Sequence, residues 1–238
     1  MAEIYDTDRF AELYYPSNTA DLLQLGLAAR FIASLFEAHQ VTYAFIGGWA
    51  VYLRGGRRRT QDIDITVATT MDHLKQILTA QSRIHFPLTH GRTSVQVFID
   101  TGRSVDGEFP HVPDLAVSMD IVISGPSLGH LGTPEDLQSS REPINPHRPT
   151  PLGSPVLVLG LVFQIYAKLD AFFRRGEQGS KDFLDLEFLF TQYAAQIPTF
   201  RDYYDLEHRR YFWTQYAEAY MAFPDQASDA CMCIMAGL

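Results

Sequence analysis

The sequence predicts an α/β (α+β) fold, a mixed β-sheet flanked by helices and followed by a C-terminal helical region. Three observations lead there. Short β-branched and aromatic runs such as "VTYAFIGG", "TQDIDITVA", "SVQVFID" and "AVSMDIVIS" recur in the first half and stop at turn residues. The segment "SREPINPHRPTPLGSP", around residues 139–155, holds five of the 13 prolines and marks a boundary. Beyond it the apolar spacing turns helical. The expected domains are 1–150, an α/β unit with an N-terminal helix, and 151–238, a helical unit.

Taken in order, Leu22, Leu25, Ala29, Ile32, Leu35 and Phe36 recur at helical spacing, so residues 20–39 read as an amphipathic helix. "VTYAFIGG" follows as a short strand, and "GWAVYL" starts a helix directly from its glycines, ending at Gly55 and Gly56. "TQDIDITVA" is the next strand. Thr69, with Asp72 three residues on, suits a capping box that opens a helix to about Gln81. "RIHFPLT", "SVQVFID" and "AVSMDIVIS" are extended candidates, the last two separated by a turn-rich loop. Ser154 and Pro155 suit N-cap and N1 of a long apolar helix interrupted by Lys168. "SKDFLDLEFLFTQYAAQ" starts at a Ser180 cap, and "YYDLEHRRYFWTQYAEAYMAF" is a third helix whose aromatic residues read as core packing rather than as base-stacking platforms.

Composition narrows the function. Of 238 residues 46% are apolar and 20% charged, ordinary for a globular protein. No run approaches the ~18 uninterrupted apolar residues of a membrane span. The first residues lack the basic start and apolar core of a secretory signal, and Cys231 and Cys233 are too close for a framework disulfide. The expected location is cytoplasmic. A net charge of -9 argues against broad nucleic-acid binding, although Arg54, Arg57, Arg58 and Arg59 cluster. The histidines form no zinc-hydrolase motif, and G-x-S-x-G, G-K-[ST] and G-x-G-x-x-G are absent from the sequence.

The informative stretch is "AFIGGWAVYLRGGRRRTQDIDITV". On a strand, Asp62 and Asp64 share one face with Cβ atoms about 6.5–7 Å apart, while Ile63 and Ile65 share the other. Two such carboxylates repel each other and lose hydration unless a cation sits between them. Hard oxygen ligands at this spacing suit magnesium. The blander reading is the solvent face of an edge strand. Gly47 and Gly48 end one strand and open a helix, an arrangement able to present backbone N–H groups to phosphate, or else an ordinary tight turn. Asp120 lies mid-strand in "SMDIVIS", and Asp100 at the end of "SVQVFID" is its rival as a third carboxylate.

Together, "GG", then "DID" 14 residues on, then a strand carrying one aspartate resemble the nucleotidyltransferases of the DNA polymerase beta superfamily. The run Arg58, Thr60, Asp62, Asp64 is similar to the R-x-T/S-x-D-x-D of lincosamide-type and abortive-infection toxin nucleotidyltransferases. "AKLDAFFRRGEQGSKDFLDL" adds a likeness to the toxin group through Lys168, Arg174 or Arg175, Lys181, Asp182 and Asp185. The resemblance implies a nucleotidyltransferase-like domain over 1–150. In it Asp62, Asp64 and Asp120 are catalytic and bind two Mg2+ ions, and Gly47, Gly48, Arg58, Thr60, Lys168, Lys181 and Asp182 bind nucleotide. The substrate is an NTP, and the acceptor is a hydroxyl on a small molecule, an RNA end or a protein. The alternative is a non-catalytic domain of the same fold that binds nucleotide or a protein.

Overall fold

The computed structural model describes residues 1–125, 133–176 and 180–220. The chain forms two compact units. One comprises residues 1–55 and 59–159, the other residues 56–58 and 160–238. Cys231 and Cys233 lie outside the described residues.

The first unit is built on an eight-stranded mixed sheet. Its elements are β1 (Glu3–Tyr5), α1 (Thr7–Ser17), α2 (Leu22–Ala38), β2 (Thr42–Ile46), α3 (Gly47–Leu53), β3 (Ile63–Ala68) and α4 (Met71–Thr79). They continue with β4 (Ile84–Pro87), β5 (Ser94–Thr101), β6 (Leu115–Ile123), α5 (Leu137–Ser140), β7 (Arg141–Ile144) and β8 (Val156–Leu159). The strand order is β1-β4-β5-β6-β3-β2-β8-β7, with β3 parallel to β6 and antiparallel to β2.

Alternation explains how the sheet packs. Ile63, Ile65 and Val67 of β3 join Met119 and Ile121 of β6 in one buried cluster with Leu25, Ile32 and Phe36 of α2 and Leu74 and Ile77 of α4. Each fully buried aliphatic or aromatic side chain contributes about 1.5–3 kcal/mol. The α2 helix begins at a capping box, in which the Asp21 carboxylate accepts from the Gln24 N–H and the Gln24 side chain accepts from the Asp21 N–H.

Several elements differ from expectation. The cap of α4 is Thr70, whose Oγ1 accepts from the His73 N–H, because Thr70 holds the extended backbone a cap requires. "VLVL" is a strand, not the start of a helix. It pairs with β2 through Phe45 and Val158 and along its length with β7, so both its edges are covered, and Gly160 rather than Ser154 then caps the helix Leu161–Arg175. Residues 3–17 form β1 and α1, which periodicity had not revealed. Asp6 caps α1, and Phe10 and Leu13 pack on Tyr5, Phe98 and Ala116.

The second unit contains α6 (Leu161–Arg175), α7 (Ser180–Gln192), a 3-10 helix (Ile197–Tyr203) and α8 (Leu206–Tyr220). The residues before Ser180 that would complete its cap lie outside the described residues, as does the end of the third helix past Tyr220. Phe172, Phe190, Phe212 and Tyr216 are buried together, so aromatic residues form its core. Among the described residues no helix is long and apolar enough to cross a membrane.

Candidate active site

Strands β3 and β6 run side by side in the same direction, and their register makes Asp64 the Cα partner of Asp120. Paired residues on neighbouring strands project to the same face, ~5 Å apart. Both aspartates are half-buried, opposite the face that carries Ile63, Ile65 and Ile121 into the core.

Asp62 stands just before β3, in a bend, and is exposed. Strand alternation therefore does not place it beside Asp64. Thr60 does the placing instead: its Oγ1 donates to Asp62 Oδ1 at 2.9 Å and lies 3.2 Å from the Asp62 carbonyl oxygen. A hydroxyl engaged in this way holds the local backbone in a turn and out of the ladder. Thr60 itself is buried.

Asp62 and Asp120 are electrostatically linked. Burial pushes the Asp120 carboxyl up to about 6, and the negative charge of Asp62 adds to the shift. Both effects disfavour the ionised carboxylate, burial more than the neighbouring charge, and a cation at this point would offset them. Asp64 is tied to Gly47. That glycine has φ +63, and a Cβ there would lie 1.9 Å from Asp64 Oδ2. Gly47 thus makes room for the carboxylate at the edge where β2 ends, with Ile46 the strand partner of Asp64. Gly48 is buried in α3.

Asp100 is placed elsewhere. It pairs with Ala116, four residues from Asp120 along β6, or ~13 Å of strand. Its Oδ1 is 2.8 Å from His85 Nε2, and this contact is the main reason the His85 pKa is raised.

In the helical unit, Lys168, Asp182 and Asp185 are buried. Lys168 Nζ is 2.7 Å from Asp182 Oδ1 and 2.7 Å from Asp185 Oδ2. Arg58 clasps Asp185 with Nε and Nη2, each at 2.8 Å, and Arg175 reaches Asp182 Oδ2 at 2.8 Å.

No protein-family model matches the chain, and no curated protein sequence does. Solved structures do resemble it. An antigenic nucleotidyltransferase-like protein from Paracoccidioides brasiliensis matches with a TM-score of 0.56, covering 88% of this chain and 93% of its own, at 18% identity. The fold is nucleotidyltransferase-like. The antibiotic-resistance factor ANT(2'')-Ia matches with a TM-score of 0.51, covering 87% of this chain and 97% of its own, at 15% identity.

Within this nucleotidyltransferase-like chain, the structure brings Asp62, Asp64, Asp120, Thr60, Gly47 and Gly48 into one unit, and Arg58, Lys168, Lys181 and Asp182 into the other. Lys181 is exposed on α7, whereas Lys168 and Asp182 are engaged in ion pairs. Among the described residues no three His, Cys, Asp or Glu side chains form a group able to hold a metal ion, so the carboxylates do not make a closed cage as they stand. Asp185 was underweighted by sequence reasoning. Its spacing of three from Asp182 puts both on one side of a helix, and that was the available signal.

Proposed function

We propose that this chain is a magnesium-dependent nucleotidyltransferase that moves NMP from an NTP to a hydroxyl acceptor. The observation that carries the reading is the in-register pair Asp64 and Asp120, with Asp62 close enough to raise the Asp120 pKa. The nucleotidyltransferase-like fold supports it.

The donor set fits magnesium, which takes one or two carboxylates and completes its shell with water and substrate phosphate oxygens. Asp64 and Asp120 would supply those carboxylates, with Asp62 nearby, and a cation there would offset the burial and the Asp62 charge that raise the Asp120 pKa. When bound, magnesium supplies charge neutralisation for the triphosphate and acidifies the acceptor hydroxyl. In the transfer, the acceptor oxygen bonds to the α-phosphorus, the bond to the pyrophosphate oxygen breaks, and the hydroxyl proton passes to a base. Asp64 and Asp120 orient the reacting groups on a rigid sheet face. Thr60 fixes the Asp62 carboxylate, and Gly47 keeps the space beside Asp64 clear. Above about pH 6 Asp120 is ionised and able to act as a ligand or to accept a hydrogen bond from the acceptor.

The acidic balance favours a small molecule or a protein over an RNA end as acceptor. The similar fold of an antibiotic-resistance factor also favours a small molecule. The test is incubation with each α-labelled NTP, magnesium and pools of metabolites, RNA and protein. Label transfer that disappears in Asp62→Ala and Asp64→Ala supports the reading. A second reading, a non-catalytic nucleotide- or protein-binding domain, is favoured by the open arrangement of the three acids. NTP binding without pyrophosphate release in any pool would establish it instead.

A further inference from the structure

Asp120 has a second in-register neighbour. Strand β5 runs antiparallel to β6, and the Cα partner of Asp120 there is Gln96. Partners on adjacent strands project to the same face about 5 Å apart, so Gln96, Asp120 and Asp64 form a row across β5, β6 and β3. The next position in the row is Ile46 of β2, where the backbone of Gly47 closes against Asp64. Of these four side chains Gln96 alone is polar and uncharged, and it is half-buried like the two aspartates. All of them belong to the sheet unit.

The carboxamide is held in place. Its Nε2 donates to Ser118 Oγ at 2.9 Å, and Ser118, two residues before Asp120 on β6, is buried. The Tyr5 hydroxyl donates to the Gln96 carbonyl oxygen at 2.7 Å. Burial first and the Asp120 charge second push the Tyr5 phenol up to about 12, so it stays a donor at neutral pH. With its N–H end turned to Ser118, the Gln96 side chain has no hydrogen bond to Oε1 among the described residues. A carboxylate at this position would compete for a cation and add charge beside Asp120, and a basic side chain would pair with Asp120 and displace the cation. A carboxamide does neither, and it offers one fixed acceptor oxygen.

We propose that Gln96 is an acceptor-binding residue: its Oε1 accepts a hydrogen bond from a second O–H or N–H group of the molecule that receives NMP, and so sets the reacting hydroxyl beside Asp120. Ser118 is then a positioning residue for that oxygen. The role rests on the nucleotidyl-transfer reading of Asp64 and Asp120. Gln96 takes no proton in the transfer.

The experiment uses the full chain with each α-labelled NTP, magnesium, and dilution series of the metabolite, RNA and protein pools. Gln96→Leu keeps the bulk and removes the carboxamide. It is expected to raise the pool concentration that gives half-maximal labelling about 3–10-fold, the worth of one hydrogen bond between neutral groups. The NTP concentration that gives half-maximal labelling is expected to stay as in wild type, because binding of the acceptor alone is weakened. Ser118→Ala is expected to shift the pool value in the same direction by less, since the carboxamide is kept but no longer held. Should Gln96→Leu fail to fold, Gln96→Asn, which draws the carboxamide back by one methylene, is expected to show the same split. Labelling by Gln96→Leu with an unchanged pool value overturns the proposal. So does an equal rise in the NTP value, the mark of a disturbed Asp120 rather than of a lost acceptor contact. A wild type that labels nothing in any pool defeats the proposed function itself, and the role of Gln96 with it.

Discussion

Gly47 and Asp64 leave no space between them: a Cβ on Gly47 would stand 1.9 Å from one carboxylate oxygen and 2.6 Å from the carboxyl carbon. The backbone at Gly47 is also in the left-handed region, where a side chain costs about 1–2 kcal/mol. Gly47→Ala therefore either pushes Asp64 aside or distorts the junction of β2 and α3. We expect a loss of about 2–4 kcal/mol in thermal or urea unfolding, from strain plus overpacking. We also expect NMP transfer to fall at least as far as in Asp64→Asn.

Asp120 makes the metal-free protein sensitive to pH. Its folded-state pKa is raised to about 6 from the ordinary 3.8 of an aspartate, so the folded chain holds the proton more tightly than the unfolded chain. Stability from this group is fully present below the unfolded pKa and is lost as pH rises through about 6. The raised pKa corresponds to as much as ~3 kcal/mol between pH 3.5 and 7.5. Asp120→Asn should flatten that part of the stability profile and raise the melting temperature at pH 7.5 in the presence of EDTA. Identical profiles for wild type and variant would show that Asp120 is not under charge stress.

Thr60 separates positioning from packing. Thr60→Val keeps the buried shape and removes the hydroxyl that binds Asp62. Its stability cost should stay near 1 kcal/mol, the net worth of an ordinary hydrogen bond, while the turnover loss exceeds that. Thr60→Ser should retain most activity. Turnover of Thr60→Val equal to wild type would remove Thr60 from the site.

Lys168 carries the helical unit. Lys168→Met removes a cation shared by Asp182 and Asp185, both almost fully buried. The expected cost is about 3–5 kcal/mol, seen as earlier unfolding of helical signal. A neutral effect would mean that Arg58 and Arg175 suffice for the two aspartates.

The strand positions of the candidate site's Asp64 and Asp120 were legible in the sequence because strand chemistry is local. The alternation of Ile63, Asp64 and Ile65 announces a sheet with one apolar face, and Asp120 between Met119 and Ile121 announces another. Which strands lie side by side is not local. Only the register of β3 with β6 separates Asp120, opposite Asp64, from Asp100, opposite Ala116. Asp62 belongs to the turn held by Thr60, and a period-two pattern cannot tell where such a turn ends. The strand β1 is three residues long, too short for any periodicity to register, and "VLVL" is apolar at every position, so strand and helix read alike there. The Arg58–Asp185 pair spans residues far apart in sequence, and no spacing rule links them.

The central claim is that the carboxylates of Asp64 and Asp120 hold divalent cations against a nucleotide triphosphate. The most direct measurement is a crystal structure grown with Mn2+ and an NTP analogue non-hydrolysable at the α–β bridge, read by anomalous scattering. The account predicts a manganese peak in contact with oxygens of both aspartates and with phosphate oxygens. Nucleotide bound with no peak at that pair, or manganese bound only elsewhere, would contradict it.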